Sequence, residues 1–346
     1  MSAINQGVSI VLQKMRVFLF TVLLVFICNP AAADSRAENV LQGWYGLVLE
    51  LVRHTPTYSP PIASRSFAYL GVTGFEALAS GSSDMISFSG QLNDLTALPQ
   101  RETDEVYDDA VVLHVALGLA VQNYFSNTGP TGQRAIKAAL KKFGTEANAG
   151  VAPDVQRRSE AYAAVLVEAI LKWSNADGAT TIENMGFPLT YKLGEGKAHW
   201  LPTSQIRQQQ VPLLPAWGSQ RSFAMANGKA CPLPPPPAYS EDPASDFFKE
   251  ALEVVAIKKD MTPEQQNIAR FWSDDPMLSS TPPGHWLSIA LQIFVRDRID
   301  LKKQIDVLAR LGIAEADAFI GCWQVKYQYD LLRPVTYIKR VIDPKW

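Results

Sequence analysis

An all-α helical bundle is the fold class the sequence predicts, and three observations predict it. Apolar residues return at mixed three- and four-residue steps over most of the chain. Three segments join a capping hydroxyl to a proline, as helix starts do: Ser59-Pro60-Pro61, Thr262-Pro263 and Thr281-Pro282-Pro283. No stretch shows the period-two alternation of a half-buried strand. The chain has 346 residues, of which 47% are apolar and 19% charged, enough for a sizeable core. Its net charge of −2 excludes a general basic footprint for nucleic acid, so any anion site must be a local cluster of cations. Three Cys without a CxxC pair exclude a zinc ribbon and a thioredoxin-like motif.

The first 33 residues read as an address. Lys14 and Arg16 precede an apolar run from Val17 to Cys28, then Asn29-Pro30 and Ala31-Ala32-Ala33 before Asp34. That is the layout of a signal peptide cut after Ala33, and it predicts a secreted or periplasmic protein with no membrane association after cleavage. The apolar core is about 12 residues, whereas a span needs about 20. Cys231 and Cys322 remain after cleavage, and a disulfide between them is left open.

Residues 34–176 form an N-terminal helical region. Leu41, Trp44, Tyr45, Val48 and Val52 share one face of a helix over 39–53. A second helix runs from Pro60 to about Ala79, stopped by Gly81-Ser82-Ser83. A third is expected over 102–125 around Val106, Val111, His114 and Leu117, and a fourth over 131–143. A fifth covers 154–173, with Val155, Tyr162, Val165 and Ile170 inward. Residues 177–243 are rich in Gly, Pro, Asn and Gln and predict a long irregular excursion, closed by the stiff run Pro234–Pro237. Residues 244–346 return to helices over 244–255 and 262–272, then from Thr281 through Trp286 and Phe294. The last spans 301–332, in two pieces around Gly312, and is ended or kinked at Pro334.

Chemistry concentrates in Lys326-Tyr-Gln-Tyr-Asp-Leu-Leu-Arg333-Pro334. On a continuous helix, seven residues return to within about 20° of the same face, about 10 Å further along the axis. Two cations so placed can grip opposite sides of a tetrahedral oxyanion, one as a planar fork and one as a mobile point charge. The same residues would also suit the negative end of a helix dipole.

Lys-x6-Arg-Pro resembles the first signature of the vanadium-dependent haloperoxidases and of the related type-2 phosphatidic acid phosphatases. Phe271-Trp272-Ser273-Asp274-Asp275 followed by Thr281-Pro282-Pro283 extends the resemblance, as do Asp317-Ala318, Cys322-Trp323 and Ser59-Pro60-Pro61-Ile-Ala-Ser64-Arg65. It spans most of the chain after residue 33. It implies a haloperoxidase-like bundle in which Lys326 and Arg333 bind vanadate, with phosphate as the alternative. Peroxide and halide are the implied small partners: vanadate acts as a Lewis acid on peroxide, Lys326 polarises that peroxide, and Arg333 neutralises the oxyanion. Trp323 is implied as a pocket wall and Asp275 as an acid bracing a second Arg. The alternative reaction is phosphomonoester hydrolysis at the same site.

The departures from the family pattern set further expectations. Its second signature, Pro-Ser-Gly-His, and its third, an Arg followed by an apical His, lie downstream of Lys-x6-Arg-Pro. Here no His follows His285 and the sequence stops at Trp346. The expectation is the N-terminal part of such an enzyme, from a split, frameshifted or partial gene. Alone it would be inactive and would not retain vanadate. Its incomplete bundle would expose apolar residues such as Trp323 and Leu332 to self-association or to a second chain that completes the site. A non-catalytic helical protein is the rival reading. Pro283-Gly284-His285 imitates the missing signature, but a His at a helix start is expected to be structural or capping. His54, His114 and His199 lack metal-ligand spacing and are expected in core or surface positions. No Gly-x-Ser-x-Gly elbow, phosphate-binding loop or dinucleotide fingerprint occurs.

Overall fold

The computed structural model describes residues 30–184, 190–203 and 211–346; the apolar run expected to direct export lies outside them. Among the described residues there are eleven α-helices and no β-strand. They are α1 Pro30–Arg53, α2 Pro60–Ala79, α3 Asp109–Tyr124, α4 Gly129–Ala147, α5 Pro153–Asn175, α6 Ala179–Asn184, α7 Asp246–Lys259, α8 Pro263–Phe271, α9 Thr281–Asp297, α10 Leu301–Tyr329 and α11 Pro334–Val341. None of these helices is long and apolar enough to cross a membrane.

The centre is α2. Ser59 stands before it in extended conformation, Pro60 opens it, and every residue from Pro61 to Ala79 is buried. A helix buried on all sides, its Arg65 and Glu76 satisfied internally, belongs inside a bundle. Its main neighbour is α10, with α3, α5 and α9 around it; α1 and α4 close the bundle against α3. The approach of α2 to α10 is set by two glycines. A Cβ on Gly71 would stand 2.8 Å from Ala309 Cα, and one on Gly312 would stand 3.0 Å from Ala68 Cα. Gly312 therefore does not divide the last long helix, as its composition suggested. Its helix-propensity cost is about 1 kcal/mol, and backbone-to-backbone packing offsets it, so α10 runs unbroken.

The expected start of α3 at 102 is too early. The Asp108 carboxylate accepts the Val111 N–H and caps the helix, while its other oxygen binds Arg36 at 2.6 Å. Val106 lies before the cap and is exposed. In α5 the inward stripe is Tyr162, Leu166 and Ile170, and Val165 points outward. The Thr262 cap forms as a full capping box with Gln265.

The long excursion is fastened to the bundle by buried charge. The Asp177 carboxylate takes Arg65 Nε at 2.7 Å and the Tyr69 hydroxyl at 2.8 Å, and Arg221 donates to that hydroxyl at 2.8 Å. On α10, the Asp317 carboxylate accepts the backbone N–H groups of Phe223, Ala224 and Met225 at 2.6, 2.8 and 2.8 Å. Also on α10, both carboxylate oxygens of Glu315 are buried without a hydrogen-bond partner among the described residues, and burial pushes its carboxyl up to about 9.

Trp323 and Leu332 are not left open, contrary to expectation. The Trp323 indole donates to the Leu213 carbonyl at 3.1 Å, and Leu332 enters a small satellite core with Ala251, Tyr337 and Ile338 where α7 meets α11. Leu331 and Leu233 nearby are exposed, and further exposed apolar residues include Leu252 and Ile257 on α7, Ile268 and Phe271 on α8, Trp272, Leu278, and Trp286 and Val295 on α9. Helix α8 has no buried residue at all.

Candidate oxyanion-binding site

The helix carrying Lys326 ends sooner than its spacing suggested. Asp330 adopts left-handed backbone with φ 45°, and its N–H caps onto the Lys326 carbonyl. Leu331 then forms an isolated antiparallel bridge with His199. Arg333 stands in extended conformation as the residue before α11, so Pro334 opens a new helix where it was expected to end or kink the old one. Lys326 and Arg333 thus do not share a helix face. The turn between the two helices nonetheless brings both to the edge of one cavity of 660 Å³.

Lys326 Nζ stands 4.1 Å from the centroid of the Trp323 ring, one turn before it, a cation–π arrangement that props the ammonium at the rim. Trp323 is buried and lines the same cavity. Both cations are exposed, and neither forms an ion pair among the described residues. The acid beside them, Asp330, also lines the cavity, but its carboxylate is engaged by His199 Nδ1 at 3.0 Å. Backbone bonds from Trp200 N–H to the Asp330 carbonyl and from Leu332 N–H to the Ala198 carbonyl flank that pair, both at 2.9 Å. The Tyr327 hydroxyl donates to the Leu213 carbonyl at 2.6 Å; burial, first, and the negative charge of Asp330 hold it protonated.

Two sequence candidates lie away from these cations. Asp275 is exposed and accepts a hydrogen bond from Ser273 at 3.2 Å; it lines none of the cavities described here. Its neighbour Asp274 is the buried acid, and it binds His285 Nδ1 at 3.1 Å. That imidazole packs against Phe271 and Trp272, with ring centroids 4.9 and 5.2 Å away. His285 thus ties the start of α9 to the segment after α8. His114 is a core residue stacked on Trp44, and burial pushes its imidazole down to about 4.

A larger cavity of 1020 Å³ adjoins the first, sharing Pro60 and Leu213. Arg53, Arg65 and Asp274 line it, together with Ser59 and Ser279, whose hydroxyls are buried without partners among the described residues. A third cavity of 850 Å³ is lined by Cys231 and Cys322, whose thiols are both free.

His199, Asp330 and the larger cavity escaped the sequence reading. Asp330 sits inside the Lys-x6-Arg run, and its charge was a visible signal. His199 is 131 residues away, and nothing local marks it as a partner.

Residues 306–345, which contain both cations, match the family model of the VCPO second helical-bundle domain. The crystal structure of the first bacterial vanadium-dependent iodoperoxidase superposes with a TM-score of 0.77 and 28% identity, over 89% of this chain and 73% of that one. An apo-type bacterial vanadium-dependent chloroperoxidase superposes with a TM-score of 0.55 and 13% identity, over 81% of this chain and 64% of that one. At that lower identity the likeness is one of fold. No curated protein matches the chain. The chain therefore has the all-α, vanadium-haloperoxidase-like fold.

Proposed function

We propose that the Lys326–Arg333 cavity binds a tetrahedral oxyanion, vanadate or phosphate, as the cationic part of a haloperoxidase-type site. One observation carries the reading: two cations without carboxylate partners open into the same cavity, inside the segment that matches the VCPO family model. The donor set fits an oxyanion. Arg333 offers a planar fork, and Lys326 offers an ammonium steadied by Trp323. The acid that shares their cavity lining, Asp330, is engaged by His199. When bound, vanadate supplies a Lewis-acidic centre for activating peroxide toward a halide. Lys326 and Arg333 neutralise the anion and orient it.

Halide oxidation by this chain alone is not expected. Among the described residues no imidazole lines the cavity: His199 faces Asp330 and His285 is bound to Asp274. Charge-assisted hydrogen bonds contribute roughly 1.5–3 kcal/mol each. Two of them, after association costs, predict millimolar affinity. Calorimetric titration with vanadate and with phosphate tests this. Both anions should bind weakly, and Lys326→Ala and Arg333→Ala should each weaken binding further. Absence of binding in the wild-type chain would defeat the reading.

A second reading is that a further polypeptide completes the site. The apolar residues exposed along α7, α8 and α9 favour it, because soluble domains rarely leave so many together. Sedimentation should then show self-association that Leu278→Glu with Trp286→Lys abolishes. The phosphatase alternative predicts hydrolysis of an aryl phosphate, which a separate colorimetric assay of the wild-type chain would reveal.

A further inference from the structure

The cavity beside Lys326 and Arg333 is far larger than a tetrahedral anion. At about 30 Å³ per water, its 660 Å³ would hold roughly twenty waters, and it falls within the size range of small-molecule sites. Its remaining wall is apolar and comes from the Pro/Gly-rich excursion. Trp200, Leu213, Leu233 and Pro236 line the space together with Trp323. The excursion is held there by the bridge of His199 to Leu331 and by the Leu213 carbonyl, which accepts from both Trp323 and Tyr327.

We propose that this cavity takes an organic anion: an acidic head of phosphate or phosphonate type on Lys326 and Arg333, and an aromatic body against the excursion. The charge distribution selects such a molecule. The lining carries two cations that form no ion pair among the described residues, and Asp330, the acid in the same lining, is engaged by His199. The same lining offers flat indole and proline faces, which favour a ring. A small inorganic anion uses only the cations, and a neutral arene only the apolar lining. The inference rests on the oxyanion reading of the two cations and adds the class of molecule attached to the oxyanion.

The test compares 1-naphthylphosphonate, methylphosphonate and 1-naphthol by calorimetric titration of the full chain. 1-Naphthylphosphonate should bind at least tenfold more tightly than methylphosphonate, and 1-naphthol should not saturate. Trp200→Ala and Leu233→Ala should each erase that preference while leaving methylphosphonate binding unchanged. Leu233 is largely exposed, so its variant leaves the fold intact. Arg333→Ala should weaken both phosphonates. Equal affinity for the two would overturn this inference and leave the oxyanion reading standing. A preference that survives both apolar variants places the ring elsewhere and also overturns it. If neither phosphonate binds, nor vanadate or phosphate, both readings fall together.

Discussion

His199 holds Asp330: its Nδ1 stands 3.0 Å from Oδ2, and the backbones of the two segments pair on either side of the contact. This arrangement puts a negative charge at the rim of a cavity whose other charged groups are Lys326 and Arg333. An incoming anion meets that carboxylate as a like charge. Replacing Asp330 by Asn keeps a hydrogen-bonding group and removes the charge. Phosphate affinity should rise by roughly threefold, the scale of an exposed charge contact of up to about 1 kcal/mol. Titration of Asp330→Asn at low salt measures it, and an unchanged affinity would place Asp330 outside the ligand's field.

The contact between α2 and α10 predicts opposite outcomes at different glycines. Gly71→Val forces a side chain into the Ala309 backbone and should destabilise the chain by about 1–3 kcal/mol. Gly46, exposed on α1, has nothing within 4 Å of its missing Cβ. Gly46→Ala should therefore stabilise by about 0.5–1 kcal/mol. Urea unfolding of the two variants reads both signs.

The Arg65–Asp177 pair is buried on both sides, with side-chain exposures of 8% and 1%. Asp177→Ala would leave the Arg65 guanidinium without its carboxylate, and such losses cost about 3–5 kcal/mol. It would also release the Tyr69 hydroxyl and cut the tie to Arg221. Chemical denaturation should show the loss, with the excursion opening first in hydrogen exchange.

Glu315 gives the chain a pH dependence of definite sign. Its carboxyl titrates near 9 when folded and near 4.5 in an ordinary setting, so the folded state binds the extra proton between those values. Stability from this group is fully present below about pH 4.5 and is lost as pH rises through about 9. Glu315→Gln should flatten the melting temperature between pH 5 and pH 9 and raise it at pH 8. A wild-type profile already flat there would show that Glu315 ionises freely.

Much of the bundle was legible because its signals are local. Ser59-Pro60-Pro61, Thr262-Pro263 and Thr281-Pro282-Pro283 all open helices, because a proline in the first turn gives up no hydrogen bond. What misled were positions where distant contacts decide. Gly312 reads as a break until Ala68 lies against it. Val106 reads as part of a helical face until Asp108 caps the helix behind it. In the site, Lys326 and Arg333 were legible as a pair, but their geometry was not. The left-handed turn at Asp330 replaces the continuous helix that spacing alone implies. Asp275 was implied only by resemblance; of the two adjacent acids, it is Asp274 that turns toward His285 and its aromatic neighbours, a contact no local signal in the sequence marks.

The glycine-guided seam of α2 and α10 also sets a schedule during synthesis. Gly71 leaves the ribosome roughly 240 residues before Ala309, its partner in the seam. At about 5–20 residues per second, the interval is roughly 12–50 s. Throughout it α2, buried on every side in the finished fold, has no α10 to cover it. A nascent chain in that condition is a client for holding chaperones, and slowing translation between the two helices should lengthen its exposure to them.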